Sequence, residues 1–234
     1  MKEFTIIIPI YNEVDNISRL TETIHKYISN ASVPTNALLV DDGSTDGSFE
    51  AIQQACTKYS ELNYISFQEN RGLSAAIKAG FDHATSEYVG YIDADLQTTP
   101  EDFEILLPYR KDYAMVTGIR QNRQDSFVKN MSSKIANSFR RMMVHDNIED
   151  TGCPLKIFKT AIAKKIPFFN GNHRFFAALV QMFDEEVKQV PVKHFPREAG
   201  QAKFGLSNRL IAPFMDCFHV KWLQKRHRNY QIKN

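Results

Sequence analysis

Strand-like and helix-like segments alternate through the first half of this 234-residue chain. Runs rich in β-branched and aromatic residues predict five buried strands, at Phe4–Ile10, Ala37–Val40, Tyr64–Phe67, Tyr88–Ile92 and Tyr113–Thr117. Apolar residues at helical spacing predict the helices between them, at Val14–Ser29, Asp46–Tyr59, Leu73–Ala84 and Glu101–Leu107. Short connections between such elements favour a mostly parallel sheet covered by helices on both faces, so we expect an α/β fold.

The second half of the chain is less regular. Its patterns predict helices at Ser126–Val144 and Asn172–Met182, a strand at Glu186–His194, a loop at Phe195–Gly205 and a final helical tail. With 43% hydrophobic residues, the chain can bury the core of one domain of this size. We therefore expect one domain over residues 1–205, followed by a C-terminal helical extension over residues 206–234.

Polar clusters follow four of the predicted strands, at the point where each strand ends. Because ligands bind at the carboxyl ends of parallel strands, we expect these clusters to share one edge of the sheet. The clusters are Tyr11–Glu13, Asp41–Ser44, Asn70–Gly72 and Asp93–Gln97.

The cluster Asp93–Gln97 has oxygen-bearing side chains at alternate positions. In an extended backbone, the side chains of Asp93, Asp95 and Gln97 would project to one side and could converge on one ion. Carboxylate and amide oxygens suit Mg²⁺ or Mn²⁺, which completes its shell with phosphate oxygens of a substrate. This stretch predicts a metal and diphosphate site, with a nucleotide-diphosphate compound as the substrate. A capped turn before Pro100 is the alternative that the stretch alone leaves open.

Composition excludes several other classes of protein. A net charge of +2 argues against nucleic-acid binding by the chain as a whole, although residues 120–141 and 206–234 each carry six basic residues against one acid. Cys56, Cys153 and Cys217 lack CxxC spacing, which argues against a zinc site or a disulfide framework and fits a reducing cytosol. Without a leader or a run of about 18 apolar residues, we expect neither standard secretion nor a membrane span.

The segments IPIYNE, VDDGSTDGS, NRGLSAAIKAG, DADLQTTPED, TGIR, SSKIAN and PREAGQAKFG occur in this order along nearly the whole chain. Together they resemble the family 2 glycosyltransferases, and within them the dolichyl- or polyprenyl-phosphate sugar synthases. The resemblance implies a Rossmann-like GT-A fold and a metal-dependent, inverting transfer of a sugar. It also implies a UDP-sugar or GDP-mannose as the donor and a polyprenyl phosphate as the acceptor. A binding module built on a decayed enzyme is disfavoured, because the DADLQ and DDGS segments are intact.

The resemblance also implies the residues of the donor site. The loop PREAGQAKFG matches a family loop that closes over the diphosphate, although Ala202 replaces the family serine and removes one hydroxyl contact. From the residues alone, Glu13 is explained equally well as an acid at a helix N-terminus, and Asp42 as part of a turn. The donor-binding residues implied by the resemblance are Pro9, Tyr11, Glu13, Val40, Asp42, Asp93, Ala94, Asp95, Gln97, Arg120, Arg197 and Lys203.

On the acceptor side, the resemblance implies that Arg120, Lys129 and Ser133 receive the lipid phosphate. Lys129 stands where an arginine is usual and lacks its bidentate fork. An ionised phosphate needs no general base, whereas a hydroxyl acceptor does. Asp150 lies where relatives acting on hydroxyls have their base, so transfer to a hydroxyl of a soluble glycan or polysaccharide is the alternative. The residues expected to carry catalysis are Asp95, Arg197, Lys203 and Asp150.

The C-terminal tail combines apolar and basic residues. Leu210, Ile211, Phe214, Met215, Phe218 and Trp222 recur at helical spacing, and Lys221, Lys225, Arg226 and Arg228 follow or interleave with them. This pattern suits an anionic membrane surface, so we expect peripheral association with the inner face of the cell membrane. An ordinary packed helix with a solvated basic end is the alternative, and we expect Pro213 to interrupt any long helix.

Overall fold

The structure is a computed structural model that describes residues 2–121, 137–192 and 211–230. In this part of the chain one sheet has the strand order β3-β2-β1-β4-β6-β5-β7. Only β6 is antiparallel to its neighbours, which confirms the predicted mostly parallel sheet. The strands are β1 (Phe4–Ile10), β2 (Thr35–Asp41), β3 (Leu62–Ser66), β4 (Tyr88–Tyr91), β5 (Met115–Arg120), β6 (Lys156–Lys159) and β7 (Val187–Val192).

Helices cover both faces of this sheet. Two predicted helices are only partly α-helical: α4 lies between the 3-10 turns Pro100–Asp102 and Leu107–Tyr109, and α7 follows the 3-10 turn Asn172–Phe175. Every helix of the described residues is too short or too polar to cross a membrane. The helices are α1 (Val14–Asn30), α2 (Ser48–Lys58), α3 (Leu73–His83), α4 (Phe103–Leu106), α5 (137–144), α6 (Thr160–Lys165), α7 (Phe176–Gln181) and α8 (Ile211–Arg226).

The sheet separates two hydrophobic cores. Along β1, Ile6 and Ile8 face the core that contains residues of α1, α2 and α4, whereas Ile7 faces the core of α3, α6, α7 and α8. Side chains alternate between the faces of a strand, so a strand that is apolar throughout must be covered on both sides. Strand β1 is apolar except for Thr5 and is buried at all seven positions, which reflects this arrangement.

Strand β6 is the element that the sequence pattern did not predict. It is only four residues long and has a lysine at each end, so its sequence lacks the apolar run by which the strands of the first half were predicted. Its insertion between β4 and β5 is fixed by the pairs of Lys156 with Tyr91 and with Thr117. Because β6 is antiparallel, its first residue lies at the edge where β4 ends. A lysine is thereby placed at the carboxyl edge of the parallel strands.

Helix α8 contradicts one prediction about the tail. Pro213 does not interrupt the helix, which runs continuously from Ile211 to Arg226 in the described residues. Cys217 and Val220 are buried where α8 packs near α7, so the tail is attached to the core of the domain. The predicted boundary between residues 205 and 206 lies outside the described residues.

The aromatic cluster around β6 provides a test of the fold. Phe158 is fully buried, with ring centroids 5.1 Å from Phe81 and 5.4 Å from Phe176. We expect Phe158→Ala to lower the free energy of unfolding by about 3–5 kcal/mol, because it leaves a cavity between the sheet and two helices. The half-exposed Phe168 is the control, and Phe168→Ala should cost under about 1 kcal/mol. Urea denaturation followed by circular dichroism measures both, and equal losses would contradict the packing described.

Candidate active site at the carboxyl edge of the sheet

The loops that follow β1 and β2 are joined by side-chain hydrogen bonds. The backbone N–H of Asn12 donates to Ser44 Oγ at 3.0 Å, and that of Thr45 donates to Asn12 Oδ1 at 2.8 Å. The N–H of Glu13 donates to Ser48 Oγ at 2.9 Å. Asn12 has a positive φ of 51°, a backbone conformation that is uncommon outside glycine and concentrates at functional sites. Two of the predicted polar clusters therefore meet, as expected.

The predicted nucleoside-pocket residues of β1 occupy different environments. Pro9 is buried, beyond the last pair between β1 and β4, while Tyr11 is half-buried in the loop. Glu13 directly precedes α1, and its Oε2 accepts a hydrogen bond from Asn16 Nδ2 at 2.7 Å. The structure thus shows Glu13 at a helix N-terminus, and its contact with a nucleoside stays a prediction.

Asp42 organises the loop that precedes α3. Its carboxylate accepts hydrogen bonds from Asn70 Nδ2 at 3.0 Å and from the backbone N–H groups of Arg71 at 2.7 Å and Gly72 at 2.9 Å. Burial raises the pKa of Asp42, and the backbone hydrogen bonds act in the opposite direction. A buried carboxylate requires hydrogen-bond donors, and those of Asp42 are supplied by the loop that precedes α3. Val40, predicted with Asp42 as a donor contact, is fully buried beneath it.

The segment Asp93–Gln97 forms a turn, which we call the acidic turn. The prediction of an extended backbone for this segment was wrong, because β4 ends at Tyr91 and Leu96 has a φ of 54°. Asp95 Oδ1 accepts a hydrogen bond from the backbone N–H of Gln97 at 3.1 Å. A local bond of this kind from an aspartate side chain to the backbone favours a turn over an extended strand. The Tyr91 hydroxyl donates to Asp93 Oδ1 at 2.5 Å. The segment therefore forms the turn that was the alternative interpretation, and it still places the two carboxylates close together.

The electrostatics of the acidic turn suit a cation. Burial raises the pKa of the Asp93 carboxyl, and the nearby charge of Asp95 adds to this, while Tyr91, Lys156 and Arg120 oppose it. Two carboxylates that repel each other in a partly buried place are stabilised by a divalent cation. Within the described ranges, no group of three or more His, Cys, Asp or Glu residues could hold a metal. An ion here would therefore use the Gln97 amide, substrate oxygens or water beside the two carboxylates.

Arg120 and Asp150 form a buried bidentate ion pair across from the acidic turn. Arg120 Nε and Nη2 each donate to the Asp150 carboxylate at 2.8 Å, and Asp150 Oδ1 also accepts from the N–H of Gly152 at 3.1 Å. Burial alone would raise the pKa of Asp150, but the hydrogen bond and charge of Arg120 lower it below its ordinary value. Asp150 is thus a weakly basic carboxylate that positions Arg120.

Lys156 is the site residue that the sequence analysis missed. Its side chain is buried, and its Nζ donates to the carbonyl oxygens of Thr151 at 3.5 Å and of Cys153. Burial lowers the pKa of the Lys156 ammonium, and the nearby groups Cys153, Asp150 and Asp93 act in the opposite direction. In the sheet, Lys156 lies between Tyr91 at the end of β4, just before the acidic turn, and Thr117 of β5, the strand that ends with Arg120. A lysine between Leu155 and Ile157, in an otherwise apolar run, is the signal that could have identified it.

The structure brings together part of the predicted site. The acidic turn follows β4 and Arg120 ends β5, and both strands pair with β6, so the two lie at the same edge of the sheet. Ala94 is buried within the turn. The predicted clamp and acceptor residues Arg197, Lys203, Lys129 and Ser133 lie outside the described residues.

Comparison with known proteins identifies sequence relatives. A model of glycosyl transferase family 2 matches residues 5–169. Undecaprenyl-phosphate 4-deoxy-4-formamido-L-arabinose transferase of Edwardsiella ictaluri (strain 93-146) is 32% identical over 204 residues, which cover 86% of this chain and 63% of that protein. The chain thus spans less than two thirds of that relative's length.

Solved structures with the same fold are more distant in sequence. Glucosyl-3-phosphoglycerate synthase from Mycobacterium tuberculosis, in complex with phosphoglyceric acid, gives a TM-score of 0.69 at 14% identity and covers 95% of this chain and 80% of that chain. A mannosyltransferase from Pyrobaculum calidifontis, in complex with GDP-Man and Mn²⁺, gives 0.63 at 18% identity, with coverages of 96% and 70%. At these identities the similarity concerns the fold, and it confirms the predicted GT-A class.

Gly43 provides a test of the loop packing at this edge. It has a φ of +68°, and a Cβ there would lie 2.5 Å from the carbonyl carbon of Glu69. Gly47 has a φ of +91°, but a Cβ there would meet only Val14, at 3.8 Å. Both alanine variants should lose roughly 1 kcal/mol of unfolding free energy from the backbone conformation. Gly43→Ala should lose about 1–3 kcal/mol more from the clash. Urea denaturation measures the difference, and equal losses would contradict the close approach of the two loops.

Proposed function

The chain belongs to glycosyl transferase family 2, and on that premise we propose that it transfers a sugar from a UDP-sugar or GDP-mannose to a polyprenyl phosphate, with inversion at the anomeric carbon. The name of its relative from Edwardsiella ictaluri supports this acceptor, since that protein is an undecaprenyl-phosphate sugar transferase.

The ion pair of Arg120 and Asp150 is the observation that carries the choice of acceptor. A hydroxyl acceptor must lose a proton to a positioned base, and Asp150 is the predicted candidate. Its carboxylate is already bound by Arg120 and by the N–H of Gly152, and Arg120 lowers its pKa. A carboxylate held in this way is a poor base. An acceptor that arrives already ionised, as a phosphate does, needs no base and gains from a nearby guanidinium.

The donor side supplies the complementary chemistry. Asp95 and Gln97, supported by Asp93, would hold Mg²⁺ or Mn²⁺, which neutralises the charge of a diphosphate leaving group when it is bound. Asp42 orders the loop 70–72 at the same edge, and Asn12 and Ser44 join the neighbouring loops. A nucleotide diphosphate would lie along this edge, with its diphosphate at the acidic turn.

In the proposed reaction, an oxygen of the lipid phosphate attacks the anomeric carbon and forms the new C–O bond. The bond from this carbon to the nucleotide diphosphate breaks, and the diphosphate leaves with the electron pair. Positively charged residues stabilise the growing charge on the leaving group. Arg197 and Lys203 are proposed for this role, while Arg120, Lys129 and Ser133 are proposed to position the acceptor phosphate.

We further propose that helix α8 attaches the protein to the inner face of the cell membrane. Phe214, Met215, Phe218 and Trp222 are each about half exposed, although Cys217 and Val220 of the same helix are buried. Phe139 of α5 stacks on Phe214, with ring centroids 4.7 Å apart, so the exposed face continues onto α5. Aromatic residues beside basic ones suit the interface of an anionic bilayer, and the guanidinium of Arg226 lies 5.8 Å from the Trp222 ring.

A transfer assay tests the proposed reaction. Purified protein is incubated with Mn²⁺ or Mg²⁺, labelled UDP-sugars or GDP-mannose, and a short polyprenyl phosphate. We expect label in the lipid extract, and we expect Asp95→Ala to reduce the rate roughly 100-fold or more, since it removes a carboxylate that serves the leaving group. The exposed Asp112, at the opposite edge of the sheet, supplies the control Asp112→Ala, which should keep its rate. Label found only in free sugar or in water-soluble glycan would reject the lipid acceptor.

Vesicle flotation tests the membrane attachment. We expect the protein to float with vesicles that contain anionic lipid, and the double variant Phe218→Ser/Trp222→Ser to bind about tenfold more weakly or worse, because each ring loses its burial in the interface. Ile105 is exposed on α4, which packs in the other core, so Ile105→Ser is the matched control. If the double variant floats like the control, or if the same face instead mediates self-association in sedimentation experiments, the membrane proposal is wrong.

A further inference from the structure

We propose that Lys156 is a resident countercharge for the acidic turn, a positioning residue that offsets the repulsion of Asp93 and Asp95 before a metal binds and attracts the diphosphate afterwards. The attraction of a diphosphate rests on the proposed function. The offset of the repulsion between Asp93 and Asp95 concerns only the chain and a metal ion.

The position of Lys156 is set by the sheet. It is the first residue of β6, paired with Tyr91 at the end of β4 and with Thr117 of β5. Its Nζ lies 5.9 Å from the centroid of the Tyr91 ring, and the Tyr91 hydroxyl in turn donates to Asp93. The ammonium group is therefore held one side chain away from the acidic turn by strand pairing, which leaves it little freedom to move.

Among the described residues, the direct partners of Lys156 are uncharged. Two carbonyl oxygens, of Thr151 and Cys153, accept its hydrogen bonds. In the described ranges it has no direct ion pair with a carboxylate, and its side chain is only 3% exposed. A buried ammonium without compensation is costly, so the negative charges near it matter to the stability of this edge. Asp150 and Asp93 are the carboxylates whose charges favour the protonated form of Lys156, against the burial that lowers its pKa.

A fixed positive charge at this place has opposite effects on two ligands. It weakens the binding of a bare divalent cation to the carboxylates, because like charges repel across a partly buried site. It strengthens the binding of a diphosphate, because the phosphate oxygens are anionic. A residue that only supports the fold would affect both ligands in the same direction when it is removed.

The two predicted shifts can be measured by substitution. Lys156→Met keeps most of the side-chain volume and removes the charge, and Lys156→Arg restores the charge. Lys159→Met makes the same change at the other end of β6, opposite Tyr88, and is the matched control. Binding of Mn²⁺ alone is followed by electron paramagnetic resonance, and binding of UDP or GDP in the presence of saturating Mn²⁺ by calorimetry. Both are done at pH 7, which is above the ordinary carboxyl pKa, because burial lowers the pKa of Lys156 and a higher pH would favour its neutral form.

We expect Lys156→Met to bind Mn²⁺ about three- to tenfold more tightly, and the nucleotide diphosphate weaker by a similar factor, as removal of one charge at this range implies. Lys156→Arg and Lys159→Met should remain close to the wild-type values. Weaker binding of both ligands, or no change in either, would overturn the proposal and leave Lys156 a structural residue. So would a wild-type protein that fails to bind Mn²⁺.

The same measurements separate this inference from the proposed function. If Lys156→Met tightens Mn²⁺ binding while neither UDP nor GDP binds to the wild-type protein, the countercharge is supported and the proposed sugar transfer is rejected. If the wild-type protein binds a nucleotide diphosphate but the variant shows no opposite shifts, the transfer proposal stands and the countercharge fails. Thermal melting of each variant verifies that the fold is retained.

Discussion

The parallel pairing of β1 with β2 and β4 is the constraint on which the site depends. Parallel strands end at the same edge of a sheet, so the loops that follow them are neighbours whatever their separation in sequence. The residues after β1 and β2, 32 positions apart, are joined through Asn12 and Ser44 in this way. The edge would otherwise expose unpaired backbone groups, and the polar side chains of the loops satisfy many of them.

Carboxylates at this edge are stabilised by different means. Asp42 is bound by backbone N–H groups, Asp150 by a guanidinium, and Asp93 by a tyrosine hydroxyl. Asp42 and Asp150 therefore stabilise the local structure, the first by ordering the loop before α3 and the second by holding Arg120. Asp93 and Asp95 remain close to each other, and the pKa of Asp93 is raised by burial and by this neighbour. A divalent cation bound at the acidic turn would stabilise both of these neighbouring carboxylates.

The sequence predicted the parallel half of the fold well and the antiparallel insertion not at all. The strand Phe4–Ile10 was found with its observed bounds because it is long, apolar and bounded by polar residues. Strand β6 could not be found in this way, since its four residues become a strand only through pairing with β4 and β5. The expected geometry of Asp93–Gln97 failed for a local reason: the hydrogen bond from the Gln97 N–H to Asp95 favours a turn. Partners across the sheet, such as Asp150 for Arg120, require knowledge of the tertiary structure.

Helix α8 has apolar residues on two sides, one buried against the domain and one about half exposed. The buried side, with Cys217 and Val220, ties the helix to the same core that supports the sheet. Such a helix cannot rotate or detach without uncovering that core, so whatever covers its outer side is held at a fixed angle to the sheet. For a surface as flat as a bilayer, this means that the carboxyl edge would be presented at one height and one tilt. A single helix would then both bind the bilayer and set the orientation of the carboxyl edge relative to it.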